Sequence, residues 1–486
     1  MTIVYVPGDS SSRSVGADEV AAAIRAEAAC RRATVEVVRN GSRGMMWLEP
    51  MAEVVTKLGR VCYGPVTPDD VAGLFDAGFL DGGAHALGHG ITDQIPWLAR
   101  QDRLTFSRVG IIDPLSTHDY QAHGGLIALR QALTMSSKQI CDEVTESGLR
   151  GRGGAGFPTG LKWRTVLNTP DLRKFVTCNA DEGDSGSYAD RMLMEGDPFM
   201  VIEGMVIAGI AVGAREGFVY IRSEYPDAVA TMRSAIQTAY DVGWLGPHVL
   251  GSDHAFDLEV RVGAGAYICG GETAMLESLE GKRGIVRSKP PVPAVQGLFG
   301  KPTVVNNVLT LASVLVLLAH GAEFYRDFGV GHSRGTHVFQ LGGNVARGGI
   351  VETAFGITLG QMVEQFGGGT ASGRPVRAAQ VGGPLGAYLP PSQYGLPLDY
   401  EAFAEAGALH VLVVLVIVDD TARRSPEPRF PLALSTVESR HERSPRPSRS
   451  LVCRASSRVP RPSTLVASLP TLGMTKGLLP TLGMTK

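Results

Sequence analysis

Residues 148–163, GLRGRGGAGFPTGLKW, restrict what this chain can fold into more than any other stretch. Glycines at 148, 151, 153, 154, 156 and 160 free the backbone to take positive φ and let it approach a ligand closely. Successive exposed N–H groups, with Arg150, Arg152 and Lys162 around them, make a concave site for phosphate or pyrophosphate. A flexible surface loop is also glycine-rich, but a linker has no need of Phe157 and Trp163, which sit inside the string. The segment reads as a nucleotide-phosphate loop.

With 486 residues, 44% of them hydrophobic and 19% charged, the chain has the make-up of a soluble globular protein of two to four domains. A net charge of −2 gives no electrostatic reason to expect nucleic acid or an acidic membrane as partner. The apolar run Val411–Val418 is too short to span a bilayer and reads as a buried strand. The start MTIVYVPGD has no basic segment followed by an apolar stretch, so the expected location is the cytoplasm. Cys30, Cys62, Cys141, Cys178, Cys269 and Cys453 form no CxxC pair, which suits a reducing compartment and speaks against a self-contained metal site.

The first stretch, 1–119, opens β-α-β: Thr2–Val6, a helix over Ala17–Ala28, then Thr34–Val38. A small thioredoxin-like unit and any other small α/β domain would both begin this way. The second stretch, 120–330, holds the chemistry. Ser136 and Gln139 predict a capping box for a helix through Val144 that leads into the glycine loop. Lys174–Cys178 reads as a buried strand running into CNADEGDSGSYADR (178–191). Its acidic cluster, Asp181, Glu182 and Asp184, lies at a strand exit, where ligands of α/β domains bind. These carboxylates can accept hydrogen bonds from hydroxyls, a flavin ring or a carboxamide; a solvated turn with Asx caps is the plainer alternative.

A second strand–loop–helix unit follows. Phe256, Leu258, Val260 and Val262 alternate as a strand, GAGAYICGGE (263–272) turns, and a helix covers Thr273–Leu279. Small residues at a helix N-terminus suit a phosphate, and Glu272 there suits either a ligand or the helix dipole. In GLFGKPTVVNNVLTL (297–311), Asn306 and Asn307 can cap an apolar helix or bond a flavin. Neither glycine loop is GxGxxG with an acid about twenty residues on, nor GxxxxGK[ST].

These four motifs, in this order and spacing, resemble the FMN- and NADH-binding subunit of respiratory complex I and its relatives, the diaphorase subunits of NAD-reducing hydrogenases and of soluble NAD-dependent formate dehydrogenases. The likeness covers about residues 120–420, and NGSRGMMWLEP (40–50) in the fused N-terminal stretch is most similar to the formate dehydrogenase beta subunit. The resemblance implies a Rossmann-like α/β FMN/NAD domain at 120–330 within an α/β multidomain chain, with NADH beside a stacked FMN. Gly151, Arg152, Gly153, Gly154, Ala155, Gly156, Phe157 and Gly160 would contact nucleotide and flavin, Phe157 stacking on the adenine and Lys162 lying near the phosphates. Asn179, Asp181 and Glu182 would bind FMN, and Asp184 would replace a glutamate near the reacting nicotinamide, so that Glu182 and Asp184 stand closest to the chemistry. Gly263, Ala264, Gly265, Ala266, Tyr267 and Gly270 would hold the FMN phosphate region, Glu272 would face NADH, and Asn306 and Asn307 would reach the flavin. Where many relatives supply further adenine-stacking aromatics, this chain has Thr165 and Val292.

The resemblance also implies a ubiquitin-like β-grasp domain at 331–421, expected to act as scaffold, and a helical [4Fe–4S] domain after it. Four cysteine thiolates are needed for that cluster. Residues 422–486 hold only Cys453; 422–463 carry ten Arg and no Lys, and LPTLGMTK occurs at both 469–476 and 479–486. Such composition fits a GC-rich gene read out of frame from near residue 410, or a genuine disordered basic tail. Resequencing separates the two. The first stretch, with only Cys30 and Cys62, lacks the cysteines for a [2Fe–2S] cluster. Expected partners are iron–sulfur subunits and a catalytic subunit bearing molybdenum or nickel. A free-standing flavin reductase and a non-catalytic scaffold are the competing readings.

Overall fold

The structure is a computed structural model that describes residues 1–384, 386–408 and 414–421. Residues 422–486 lie outside the described residues, so the expectations for the tail fall there too. Three sheets of four or five strands organise the rest, beside a two-stranded one at Gly329–Val330 and Ser333–Arg334.

The first sheet is built from β1 (Thr2–Tyr5), β2 (Val35–Val38), β3 (Ala52–Thr56), β4 (Gly59–Tyr63) and β5 (Gly88–Ile91), in the order β2-β1-β3-β4-β5. Helix α1 (Ala17–Cys30) connects the parallel pair β1 and β2, as the opening pattern predicts. Val20, Ala21 and Ile24 of α1 are buried with Val4, Val54 and Tyr63 in one apolar cluster.

The middle of the chain forms a four-stranded parallel sheet. Its elements are α2 (Ser137–Glu146), α3 (Thr159–Asn168), β6 (Phe175–Ala180), α4 (Ala189–Gly196), α5 (Pro198–Val212), β7 (Glu216–Ile221), α6 (Pro226–Asp241), β8 (Asp257–Val262), α7 (Glu272–Leu279), β9 (Thr303–Asn307) and α8 (Val308–His320). The capping box expected at Ser136 and Gln139 starts α2. Helix α5 is buried throughout and apolar apart from Glu203, so it belongs to the centre of the domain and not its surface. The strand order is β8-β7-β6-β9. The chain therefore steps outward from β6 through β7 to β8, then returns to the other side of β6 for β9. That reversal creates a crevice at the carboxyl ends of β6 and β9, where open α/β sheets bind ligands.

The third sheet contains β10 (Thr336–Gly343), β11 (Gly349–Ala354), β12 (Val376–Val381), β13 (Ala387–Leu389) and, after helix α9 (Tyr400–Glu405), β14 (Val414–Asp419). The order is β11-β10-β14-β12-β13, with β14 parallel to β10 and antiparallel to β12. The apolar run expected to be a strand thus fills the centre of this sheet from Val414 onward. Residues 409–413 lie outside the described residues.

The boundary expected at 119 is not a clean one. Met45, Leu48, Met51, Trp97 and Leu98 are buried in one cluster with Phe339, Val351 and Leu415 of the third sheet and with Cys62 of β4. The Trp97 indole N–H donates to the Ile350 carbonyl at 3.1 Å, and the Thr105 and Phe106 amides donate to the buried Glu352 carboxylate at 2.8 Å each. The 40–50 segment bridges two sheets: Arg43 donates to Glu53 of β3 at 2.9 Å, and the Ile350 N–H of β11 donates to the Gly44 carbonyl at 2.9 Å.

Candidate functional site

At the switch point the sequence places polar side chains where strands would otherwise continue apolar. Asn179 and Asn307 are direct neighbours in the register of β6 and β9. The Asn179 amide donates to the Gly270 carbonyl at 2.8 Å, which ties the loop after β6 to the loop after β8. Asn307 caps α8 by accepting from the Leu309 N–H at 2.9 Å and donates to Asp190 Oδ2 at 2.6 Å. The glycine loop closes on the same spot: a Cβ on Gly153 would lie 2.9 Å from Asn307 Cβ.

That loop is held from three sides. Lys162 Nζ donates to the Val305 carbonyl at 2.7 Å, and the Trp163 indole donates to Asn306 Oδ1 at 2.8 Å, so α3 is fixed to β9. The Tyr400 hydroxyl of α9 donates to the Gly151 carbonyl at 3.0 Å. Gly156 has φ +59, and a Cβ there would also press within 2.9 Å of the Tyr400 ring, so only glycine fits. No acceptor among the described residues takes the amide N–H of Gly153, Gly154, Ala155 or Gly156. Phe157, 48% exposed, stands free beside them. Across the crevice, Ala264, Gly265, Ala266, Tyr267 and Ile268 are all exposed. Unpaired amides, a glycine surface and open apolar rings are the donor set and shape that a phosphate-bearing aromatic cofactor needs. The residues present fit FMN and a nicotinamide nucleotide.

The acidic turn is more specialised than its composition suggests. The Glu182 carboxylate is buried and accepts from the Asp190 and Arg191 amides at 3.2 Å each, so it caps α4. Burial raises the proton affinity of Glu182, with those two amides working against it; burial and then the charge of Glu182 raise that of Asp190. This pair keeps a proton to a higher pH than ordinary carboxyls do. Asp181 is also pushed up, to about 6, chiefly by burial. Asp184 accepts from the Tyr267 hydroxyl at 2.5 Å, and a Cβ on Gly183 would meet the Tyr267 ring at 2.9 Å. The loops after β6 and β8 are therefore joined at two points, Asn179–Gly270 and Asp184–Tyr267.

Several sequence expectations are redirected. The Arg152 guanidinium does not face a phosphate: it is buried, donates to the Tyr325 hydroxyl at 2.7 Å and the Arg334 carbonyl at 2.6 Å, and lies over the Phe355 ring. Its side chain holds the glycine loop to the third-sheet region, leaving only its backbone near the crevice. Glu182 and Asn306 likewise spend their side chains on protein partners. Gly263 is buried against Tyr220, whose hydroxyl would lie 2.9 Å from a Cβ there. Lys162 approaches Glu272 at 3.8 Å, and Lys289 also pairs with Glu272; burial lowers the Lys162 proton affinity against the attraction of Glu272. Thr165 spends its hydroxyl on the Leu161 carbonyl at 2.8 Å, and Val292 is exposed. A cavity of about 350 Å³ lies at the base of the glycine loop between Leu149, Leu161, His332 and Glu401, and none of the acidic turn lines it.

Residues that pattern reading missed come from the third sheet. A Cβ on Gly383 would lie 3.3 Å from Asp184 Oδ2, and Gln340 accepts from the first amides of α4. The signal was present: QLGG (340–343) and QVGG (380–383) repeat one pattern, a glutamine followed by an apolar residue and two glycines.

A parallel sheet with its crevice framed by glycine-rich turns, free amides and paired asparagines defines a nucleotide-binding flavoprotein of the α/β class. The Nuo51 FMN-binding domain family matches residues 144–316. The chain is 45% identical over 303 residues to an NADH-quinone oxidoreductase subunit of Rhizobium meliloti (strain 1021), covering 62% of this chain and 72% of that one. It is 43% identical over 321 residues to the NADP-reducing hydrogenase subunit HndC of Solidesulfovibrio fructosivorans, covering 66% of this chain and 65% of that protein, so it spans just under two thirds of HndC. Among solved structures, an NAD+-reducing [NiFe]-hydrogenase in the air-oxidized state aligns with a TM-score of 0.56 at 29% identity, covering 91% of this chain and 72% of that one. The chain belongs to the family of complex I flavin-subunit-like diaphorases, NAD-dependent oxidoreductase subunits with an FMN-binding domain.

Proposed function

We propose that this chain is the NADH-oxidising flavin subunit of a soluble hetero-oligomeric complex, the beta subunit of an NAD-dependent formate dehydrogenase. The supporting observation is that the turns after β6 and β8 are joined, Asn179 to Gly270 and Tyr267 to Asp184, while the glycine loop closes on Asn307 beside Asn179. FMN in that crevice would supply the switch between two-electron and one-electron chemistry. The chain's own part is to bind and orient: the amides of Gly153–Gly156 hold phosphate, Phe157 stacks the adenine, Tyr267 fixes Asp184, and Asn179 and Asn307 mark the flavin edge. In this reading the 1–119 stretch is a thioredoxin-like unit and 331–421 a β-grasp unit, supported by their mixed five-stranded sheets.

A second reading, the diaphorase subunit of an NAD(P)-reducing hydrogenase, is favoured by the likeness to HndC and to the [NiFe]-hydrogenase structure. The likeness of NGSRGMMWLEP (40–50) to the formate dehydrogenase beta subunit favours the first reading. A cytoplasmic location and iron–sulfur partners belong to both readings; no helix among the described residues is long and apolar enough to cross a membrane. The chain purified with its partners should contain FMN and reduce ferricyanide with NADH. Molybdenum in the complex supports formate dehydrogenase, nickel the hydrogenase. A protein that takes up no FMN on reconstitution refutes both.

A further inference from the structure

The third sheet was expected to be scaffold, yet one of its faces is directed at the acidic turn. Its own core side carries Leu341, Ala379, Val381, Leu415 and Ile417. The register places Gln340 opposite Val414 and Gln380 opposite Val416, so these four share the other face. Polar glutamines at the centre of a sheet need partners. The Gln380 side-chain amide donates to the Pro384 carbonyl at 3.2 Å, shaping the turn from which Gly383 abuts Asp184. Gln340 is buried, and its Oε1 accepts from the N–H groups of Tyr188 and Ala189, the latter at 3.2 Å.

A helix leaves its first four amides without internal partners. In α4 two side chains from different domains divide them: Gln340 takes Tyr188 and Ala189, Glu182 takes Asp190 and Arg191. The residues between these two anchor points, 183–187, include Asp184. The Tyr225 hydroxyl pins the same turn by donating to the Ser187 carbonyl at 3.0 Å.

We propose that Gln340 is a positioning residue for the redox site: by capping α4 from across the domain boundary it fixes the turn on which Glu182 and Asp184 stand. This rests on the assignment of the crevice to FMN and NADH. Loss of the acceptor releases the end of the turn, and a displacement of about 1 Å at such a site lowers turnover by up to about 100-fold.

The test compares the full chain with Gln340→Met, which keeps the length but removes the acceptor, and Gln340→Glu, which restores one. In the FMN-free chain, hydrogen exchange of amides 182–191 should accelerate in Gln340→Met and return to the wild-type rate in Gln340→Glu, with β9 unchanged. After FMN loading, kcat for NADH–ferricyanide should fall about tenfold or more in Gln340→Met, with the KM for ferricyanide unmoved, and recover in Gln340→Glu. A lower melting temperature in Gln340→Met with normal exchange and kcat would show a merely structural role and overturn the proposal, as would a Gln340→Glu enzyme no better than Gln340→Met. If Gln340→Met does not fold, Gln340→Asn, whose carbonyl falls short of the amides, takes its place with the same outcomes. A wild-type chain that binds no FMN would refute the functional reading, while the exchange result would still decide the cap.

Discussion

Single residues in this crevice divide into those that stay free and those already committed to the protein. Phe157 is free. Its ring has no stacking companions at Thr165 or Val292, so it should carry most of the adenine contact. Phe157→Ala is expected to raise the KM for NADH about tenfold, within the 1–3 kcal/mol that base–aromatic stacking contributes, while flavin content stays normal; steady-state kinetics with ferricyanide measures it. Gly156 is committed. With φ +59 and the Tyr400 ring behind it, Gly156→Ala should cost about 1–2 kcal/mol of stability in urea unfolding and weaken FMN retention. Arg152 shows why residue type alone misled: a cation beside glycines suggests a phosphate, but its guanidinium has hydroxyl and carbonyl acceptors and a ring to cover it, so it is buried instead. Nothing in the local sequence announces Tyr325, Arg334 or Phe355 as its neighbours.

At the level of elements, the strands and helices that frame the site were legible because local signals agreed with the fold. The capping box of α2, the alternation of β8 and the paired asparagines before α8 were all found where their patterns put them. What local pattern could not supply was which elements meet. That Asn179 and Asn307 are neighbours follows from the return of the chain to the far side of β6, a choice made by the whole sheet. Asn307 serves two elements at once, the start of α8 and the buried Asp190. Asn307→Ala should therefore cost more than the 0.5–2 kcal/mol of an ordinary helix cap, because the Asp190 carboxyl also loses its partner. Chemical denaturation of the variant against wild type measures the difference.

Across the whole molecule, one polar contact that responds to pH joins the first sheet's domain to the middle one. The backbone N–H and hydroxyl of Ser10 each donate to the Glu195 carboxylate at 2.7 Å, linking the first sheet's domain to α4. Burial is the main reason that the Glu195 carboxyl is pushed up to about 7; Arg191 opposes the shift and Asp9 adds to it. In the unfolded chain a glutamate titrates near about 4.3. The folded state thus binds the extra proton between the two values. The stability tied to this group is complete below the unfolded value and is lost as pH rises through the folded one. Urea midpoints should fall from about pH 5 to about pH 8, and Glu195→Gln should flatten that fall by an amount on the order of 1–3 kcal/mol. An equal fall in both proteins would remove Glu195 as its source.

The position of β14 has a consequence for how the protein is made. The strand that lies between β10 and β12 is the last one in the described sequence, so on the ribosome its two neighbours emerge well before it. Until Val414–Asp419 leaves the exit tunnel, nothing holds Gln340 and Gln380 on a common face, and the acidic turn made more than two hundred residues earlier has only half of its support. Cofactor capture in its finished form is therefore an event of late synthesis, and a nascent chain stalled before residue 414 should release flavin that the completed one keeps.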